Sequence, residues 1–97
     1  LGGVNQDLSG VDLSDENLDY INLEGANLTE SNFSDSDLSK ASLNNANLSK
    51  ANLRRSDLYE AYLCNSNLTE ASLITARLNF AKLSNANLTK TNLTNSI

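Results

Sequence analysis

Histidine, tryptophan and methionine are absent from this chain of 97 residues, and cysteine occurs once, at Cys64. Without histidine, the commonest general base and a common metal ligand are missing. A single thiol excludes an internal disulfide and leaves the redox compartment open. The four glycines form no glycine-rich phosphate loop. No apolar run approaches the ~20 residues that a membrane-spanning helix needs. No linker or low-complexity tail breaks the chain, so residues 1–97 read as one domain. The missing methionine extends to the first residue, Leu1, so the expectation is that an upstream segment has been removed or left out.

What is present is leucine at every fifth position. The eighteen positions run from 8 to 93 in steps of five, and all are leucine except Phe33. On an α-helix a five-residue step turns about 500°, so the leucines would wind around the rod and form no face. On a flat strand an odd step alternates faces, which would send every second leucine into water. A period of five buries all of them only if the chain turns a corner once per repeat.

A longer period runs inside the short one. Residues 26–30 read ANLTE, 46–50 ANLSK, 66–70 SNLTE and 86–90 ANLTK. Gly25, Asn45, Asn65 and Asn85 recur at twenty, as do Glu30, Lys50, Glu70 and Lys90. A fifteen-residue coil would instead stack Glu30, Asn45, Glu60 and Thr75, which share nothing. Twenty residues per coil means four sides and four corners. Eighteen repeats then make about four and a half coils, stacked at the ~4.8 Å of hydrogen-bonded strands into a rod roughly 22 Å long. One buried leucine contributes about 1.5–3 kcal/mol, whereas ordering five residues costs about 7 kcal/mol at ~1.5 per residue. A single repeat cannot stand alone, and stability must come from stacking.

The other positions follow. Two residues before each leucine the chain is mostly alanine or serine, which fits a second inward column with room for little more than a methyl group. Glu16 violates that column, and a carboxylate on the axis is costly, so distortion of the first coil is expected there. The residue before leucine is usually Asn or Asp, which bond local backbone. The corner column of Gly25, Asn45, Asn65 and Asn85 predicts type II turns, and corners carrying Tyr20, Thr75 or Phe80 predict a different turn.

With units such as ANLTE, ANLSK, ANLRR, SDLSK and ANLTK, the chain resembles the pentapeptide-repeat family from about Gln6 to Ser96. The resemblance implies an all-β fold, a right-handed quadrilateral parallel β-helix. The missing catalytic residues make a non-enzymatic structural or protein-interaction solenoid the expected function; the resemblance adds one alternative carried by a few members, an acidic mimic of DNA that binds and inhibits a topoisomerase such as gyrase.

No catalytic, cofactor-binding or metal-binding residues stand out. Cys64 follows Leu63 and belongs on an outer face, with no base in its column. Asp35 and Asp37 lie close in sequence, but a solvated surface does little to separate their proton affinities. Charge is more informative. Residues 1–48 hold nine acids and one base, a net of −8; residues 49–97 hold three acids and six bases, a net of +3. Asp35, Asp37 and Asp57 are the candidate acidic surface for the DNA-mimic alternative. A lateral patch of Tyr59, Tyr62, Arg77 and Phe80 is the candidate interaction site, with Arg77 expected over Asp57 and Lys82 over Tyr62. The coil ends present unpaired strand edges, so the expected partners are a protein or a further copy meeting the coil ends. Neither direct nucleic-acid binding nor membrane association is expected.

Overall fold

Parallel bridges join residues twenty apart, from Asp7 with Asn27 to Ser72 with Asn92. The computed structural model describes residues 1–97 and shows a four-sided parallel β-helix measuring 30 × 25 × 23 Å. Each side of the square is short, three residues of extended chain between two-residue corners. The bridging therefore never widens beyond one residue pair per wall and coil.

In an interior repeat with Asn or Asp before leucine, all five backbone N–H groups have defined destinations. Leu28 donates to the Asn47 carbonyl in the next coil at 2.7 Å, and Asn47 donates back to Ala26 at 2.9 Å. The corner residue Glu30 donates to Ser49 at 2.9 Å, and Ser31 closes the turn on the Leu28 carbonyl at 3.0 Å. The fifth group, on the residue after leucine, has no backbone partner. The side chain before leucine accepts it: Thr29 N–H donates to Asn27 Oδ1 at 3.2 Å. The Asn or Asp preference at that position thus supplies the one acceptor that the stacked backbone lacks.

Inside, Leu23, Leu28, Leu38, Leu43, Leu48, Leu53 and Leu58 are fully shielded, as is Phe33 in a leucine position. The small column alternates with them: Ala26, Ala41, Ala46, Ala51, Ala61, Ala71 and Ala76 are buried. Inward serines satisfy themselves on the turn, Ser36 Oγ donating to Phe33 O at 2.6 Å and Ser56 Oγ to Leu53 O at 2.7 Å. Ser31 Oγ is buried without a partner. Shielding falls away toward the ends of the stack, where Leu88 is 38% exposed and Leu93 39%.

Two expectations need correction. Every residue numbered by a multiple of five, from Asn5 to Asn95, has positive φ, and only Gly10 and Gly25 among them are glycine. Tyr20, Thr75 and Phe80 sit at φ 62°, 61° and 61°, beside 62° at Asn45. They therefore share the positive-φ third position of a type II turn instead of a different turn. With the same turn at every corner, each leucine returns to the axis and the three hydrogen bonds between a repeat and the next coil are kept. That outweighs the ~1–2 kcal/mol that a left-handed conformation costs an L-residue.

The second correction concerns Glu16. The coil keeps its register there, with Asn17 bridged to Asp37 and Asp37 donating to the Glu16 carbonyl at 2.9 Å. Glu16 is exposed, because the first coil has no coil stacked outside it. The disturbance is confined to the turn bond from Glu16 N–H to Leu13 O, the one missing among the eighteen corners from Leu8 to Leu93.

Thr75 tests the turn. Its branched side chain is poorly suited to a left-handed backbone, whereas asparagine tolerates it. Thr75→Asn is expected to raise the unfolding free energy by about 0.5–1 kcal/mol in urea titration. A loss of stability would show that the Thr75 side chain contributes more than its backbone costs.

Candidate functional site

Because the frame repeats so regularly, the surface is read by where the chain departs from it. All thirteen Asn or Asp residues in the pre-leucine column accept the N–H two residues on. Five positions give up that acceptor: Ser42, Tyr62, Ser72, Arg77 and Lys82. Four of the five lie on two adjoining walls, the third (Asn17, Asp37, Asp57, Arg77) and the fourth (Asn22, Ser42, Tyr62, Lys82). Only one loss is compensated: Asn44 Oδ1, one coil back, accepts the Cys64 N–H at 2.9 Å. A lost hydrogen bond typically costs about 0.5–1.5 kcal/mol, so this side of the rod has exchanged frame-stabilising residues for aromatic and cationic ones.

The corner between those walls holds the candidate patch. Tyr59 and Phe80 meet edge to face, with ring centroids 5.9 Å apart at 86°. The Arg77 guanidinium lies 4.9 Å from the Tyr59 ring centre and its Nη1 is 3.4 Å from Asp57 Oδ2. Lys82 Nζ lies 4.8 Å from the Tyr62 ring. Both predicted stackings, Arg77 on Asp57 and Lys82 on Tyr62, are present. Each cation over a ring face is attracted by the ring quadrupole. Phe80, 75% exposed, is left uncovered above its one neighbour.

One member was not picked out from the sequence. Tyr20 stands on the same corner, 67% exposed, with Lys40 Nζ donating to its hydroxyl at 3.0 Å and lying 5.2 Å from its ring centre. That hydrogen bond, the largest influence, raises the Lys40 ammonium above its ordinary value against an opposing desolvation effect, with a lesser contribution from Glu60. All aromatic residues except the buried Phe33 therefore gather along one edge: Tyr20, Tyr59, Tyr62 and Phe80. Reading the column in steps of twenty (Tyr20, Lys40, Glu60, Phe80) is the signal that finds it.

The acidic candidates are differently placed. Arg55 donates twice to Asp35, at 2.7 and 3.0 Å, and Asp57 takes Arg77. Asp37 has no cation against it and accepts the Ser39 N–H and hydroxyl at 2.9 and 2.6 Å. The Arg55 hydrogen bond holds the Asp35 carboxyl below its ordinary range and raises Arg55 in turn. Hydrogen bonds from Ser14 lower Asp12 likewise. No cleft or cavity opens on any wall, and no group of three His, Cys, Asp or Glu side chains converges as a metal site would require. Cys64 is a free, half-buried thiol.

The sequence matches the family model described as pentapeptide repeats, in eight copies over residues 7–45 and 56–95. Among solved structures it is 36% identical to a pentapeptide repeat protein (Rfr23) of the cyanobacterium Cyanothece 51142. The match covers 97% of this chain and 61% of that one, with a TM-score of 0.86. It is 33% identical to a pentapeptide repeat protein of the Arabidopsis thaliana thylakoid lumen, covering 94% and 63% with a TM-score of 0.91. The chain thus spans less than two thirds of either relative. Comparison with curated proteins gives no match. The shared fold is a right-handed quadrilateral β-helix.

The Asp35–Arg55 pair yields a pH prediction. A depressed carboxyl binds its proton less tightly folded than unfolded, so its contribution is present above the unfolded value and lost as pH falls through the lower folded value. Carboxyl carbon shifts should place the Asp35 midpoint below 3.8, and Arg55→Gln should move it upward. An unchanged midpoint would remove Arg55 as the cause.

Proposed function

Because the chain belongs to the pentapeptide-repeat family, we propose that it acts as a non-enzymatic solenoid that presents one lateral edge to a protein partner. The family's fold is generally structural, and walls without a cleft suit contact better than catalysis. The observation that carries the reading is the edge holding Tyr59, Tyr62, Arg77 and Phe80. Aromatic residues and arginine are the types most enriched at protein interfaces, and here Tyr62 and Arg77 stand where capping Asn or Asp would have stabilised the frame. The edge is solvent-accessible over several coils, and Phe80 stays largely exposed beside its one neighbour, Tyr59. The coil ends remain a second route to partners under the same reading.

A second reading draws on one further observation. Seven of the twelve acids (Asp15, Glu16, Asp19, Asp35, Asp37, Asp57 and Glu60) lie on the third wall and its two corners. Such a face is the kind that a DNA mimic acting on a topoisomerase would need, given one charge per ~1.7 Å of duplex. Pairing of Asp35 with Arg55 and of Asp57 with Arg77 reduces the charge it offers, so the interaction edge is the better-supported site.

Two experiments separate the readings. A photo-crosslinking residue at position 80 should yield protein adducts that are absent when it stands at position 50, on the diagonally opposite corner. Unlabelled chain should compete for them, and Tyr59→Ser/Phe80→Ser chain should not; equal labelling from both corners would remove the edge as the contact site. In a gyrase supercoiling assay the chain is expected to give no inhibition at large molar excess. Inhibition that disappears in an Asp35→Asn/Asp37→Asn/Asp57→Asn variant would favour the mimic instead.

A further inference from the structure

Along the corner between the third and fourth walls, successive coils present Tyr20, Lys40, Glu60 and Phe80 in line. At ~4.8 Å per coil this column is about 14 Å long. Read upward it is aromatic, positive, negative, aromatic. Read downward it is aromatic, negative, positive, aromatic. A second copy laid antiparallel along this edge therefore sets Tyr20 against Phe80 at both ends, and Lys40 against Glu60 twice in the middle. The column is its own complement under a two-fold axis across the rod, between the second and third coils.

We infer that this edge pairs two copies of the chain into an antiparallel, two-fold symmetric dimer. The inference rests on reading the edge as a protein-contact surface and names the partner as a second copy. Symmetry permits a second side-by-side arrangement, with the rods parallel, but that sets Lys40 on Lys40 and Glu60 on Glu60. Like charges in contact are repelled strongly, so the charge order selects the antiparallel one. A two-fold contact of this kind closes on itself and stops at two chains.

The exposed residues fit their assigned places. Phe80 and Tyr20, at 75% and 67%, are the two most exposed large apolar side chains apart from Leu1 and Ile97 at the termini. In the antiparallel arrangement each covers the other. Lys40 and Glu60 are half-buried in the single chain. They stand between the aromatics as the pair that sets register and direction, the role charges play at interfaces of defined orientation. A corner-to-corner contact is small, in the class below about 1,200 Å² that characterises weak, reversible association.

Sedimentation of the purified chain, taken to concentrations of about 1 mM where weak contacts populate, reads this directly. A monomer–dimer equilibrium that weakens with salt is expected. Phe80→Ser and Tyr20→Ser should each weaken it by about tenfold or more. Lys40→Glu and Glu60→Lys should each suppress the dimer, since each sets like charges against one another twice. Mixing those two variants should restore dimers, and so should combining both changes in one chain. Rescue in the combined variant is the outcome that parallel rods forbid, because like would still face like. Thermal melts by circular dichroism check that each variant keeps its fold. A chain that stays monomeric throughout, a dimer indifferent to Lys40→Glu, or growth beyond two chains would each overturn the proposal. Adducts to a different protein from position 80 with no self-association would overturn the dimer alone and leave the edge standing as a contact site.

Discussion

Everything in this structure depends on the alignment of one coil on the next at a step of twenty residues. Three of the five N–H groups in a repeat bond to a neighbouring coil, and those bonds exist only when leucine lies over leucine. Apolar burial and backbone pairing are thus satisfied by the same register, which is why neither tolerates a slip. The corners are subordinate to that alignment. Even tyrosine, threonine and phenylalanine take a left-handed backbone there, because losing a stacked coil costs more than straining one residue.

The same strictness divides labour within a repeat. The leucine and the small residue before it fill the axis, and the Asn or Asp between them supplies the acceptor that the ladder omits. The two corner residues carry no such duty and are where the chain is chemically diverse. One corner column alternates Glu30, Lys50, Glu70 and Lys90; another is asparagine from Asn45 to Asn85; a third holds Asp15, Asp35 and Arg55. The aromatic edge stands apart because its neighbouring walls have also given up the capping residues, at Tyr62, Arg77 and Lys82. The proposed contact edge is thus the side on which a regular frame forfeits most of its own hydrogen bonds.

The architecture was legible because it is written in periods, and a period survives the loss of any single residue: Phe33 in place of leucine does not hide it. The stacked pairs were legible for the same reason, and Arg77 over Asp57 and Lys82 over Tyr62 follow from adding twenty. The turns were misread because residue preference was allowed to choose the corner, when the stack chooses it and the residue adapts. Glu16 was misread because its column is an interior only where another coil lies outside it. Tyr20 escaped notice because it stands two coils from the other rings, so neighbourhood in sequence concealed a shared edge. The Asp35–Arg55 pair was equally open to arithmetic, yet the acids were counted by charge and not by column.

The unit of five carries a geometric corollary. Adding or removing one pentapeptide leaves the interior chemically intact, since leucine still follows at the next corner. It nevertheless rotates everything beyond that point by a quarter turn about the axis. Surface columns are thereby re-dealt between walls without a single substitution, whereas a change of twenty residues lengthens the rod and preserves every column. In such a molecule the arrangement of the outside is controlled by the count of repeats, much as a dial is set by clicks.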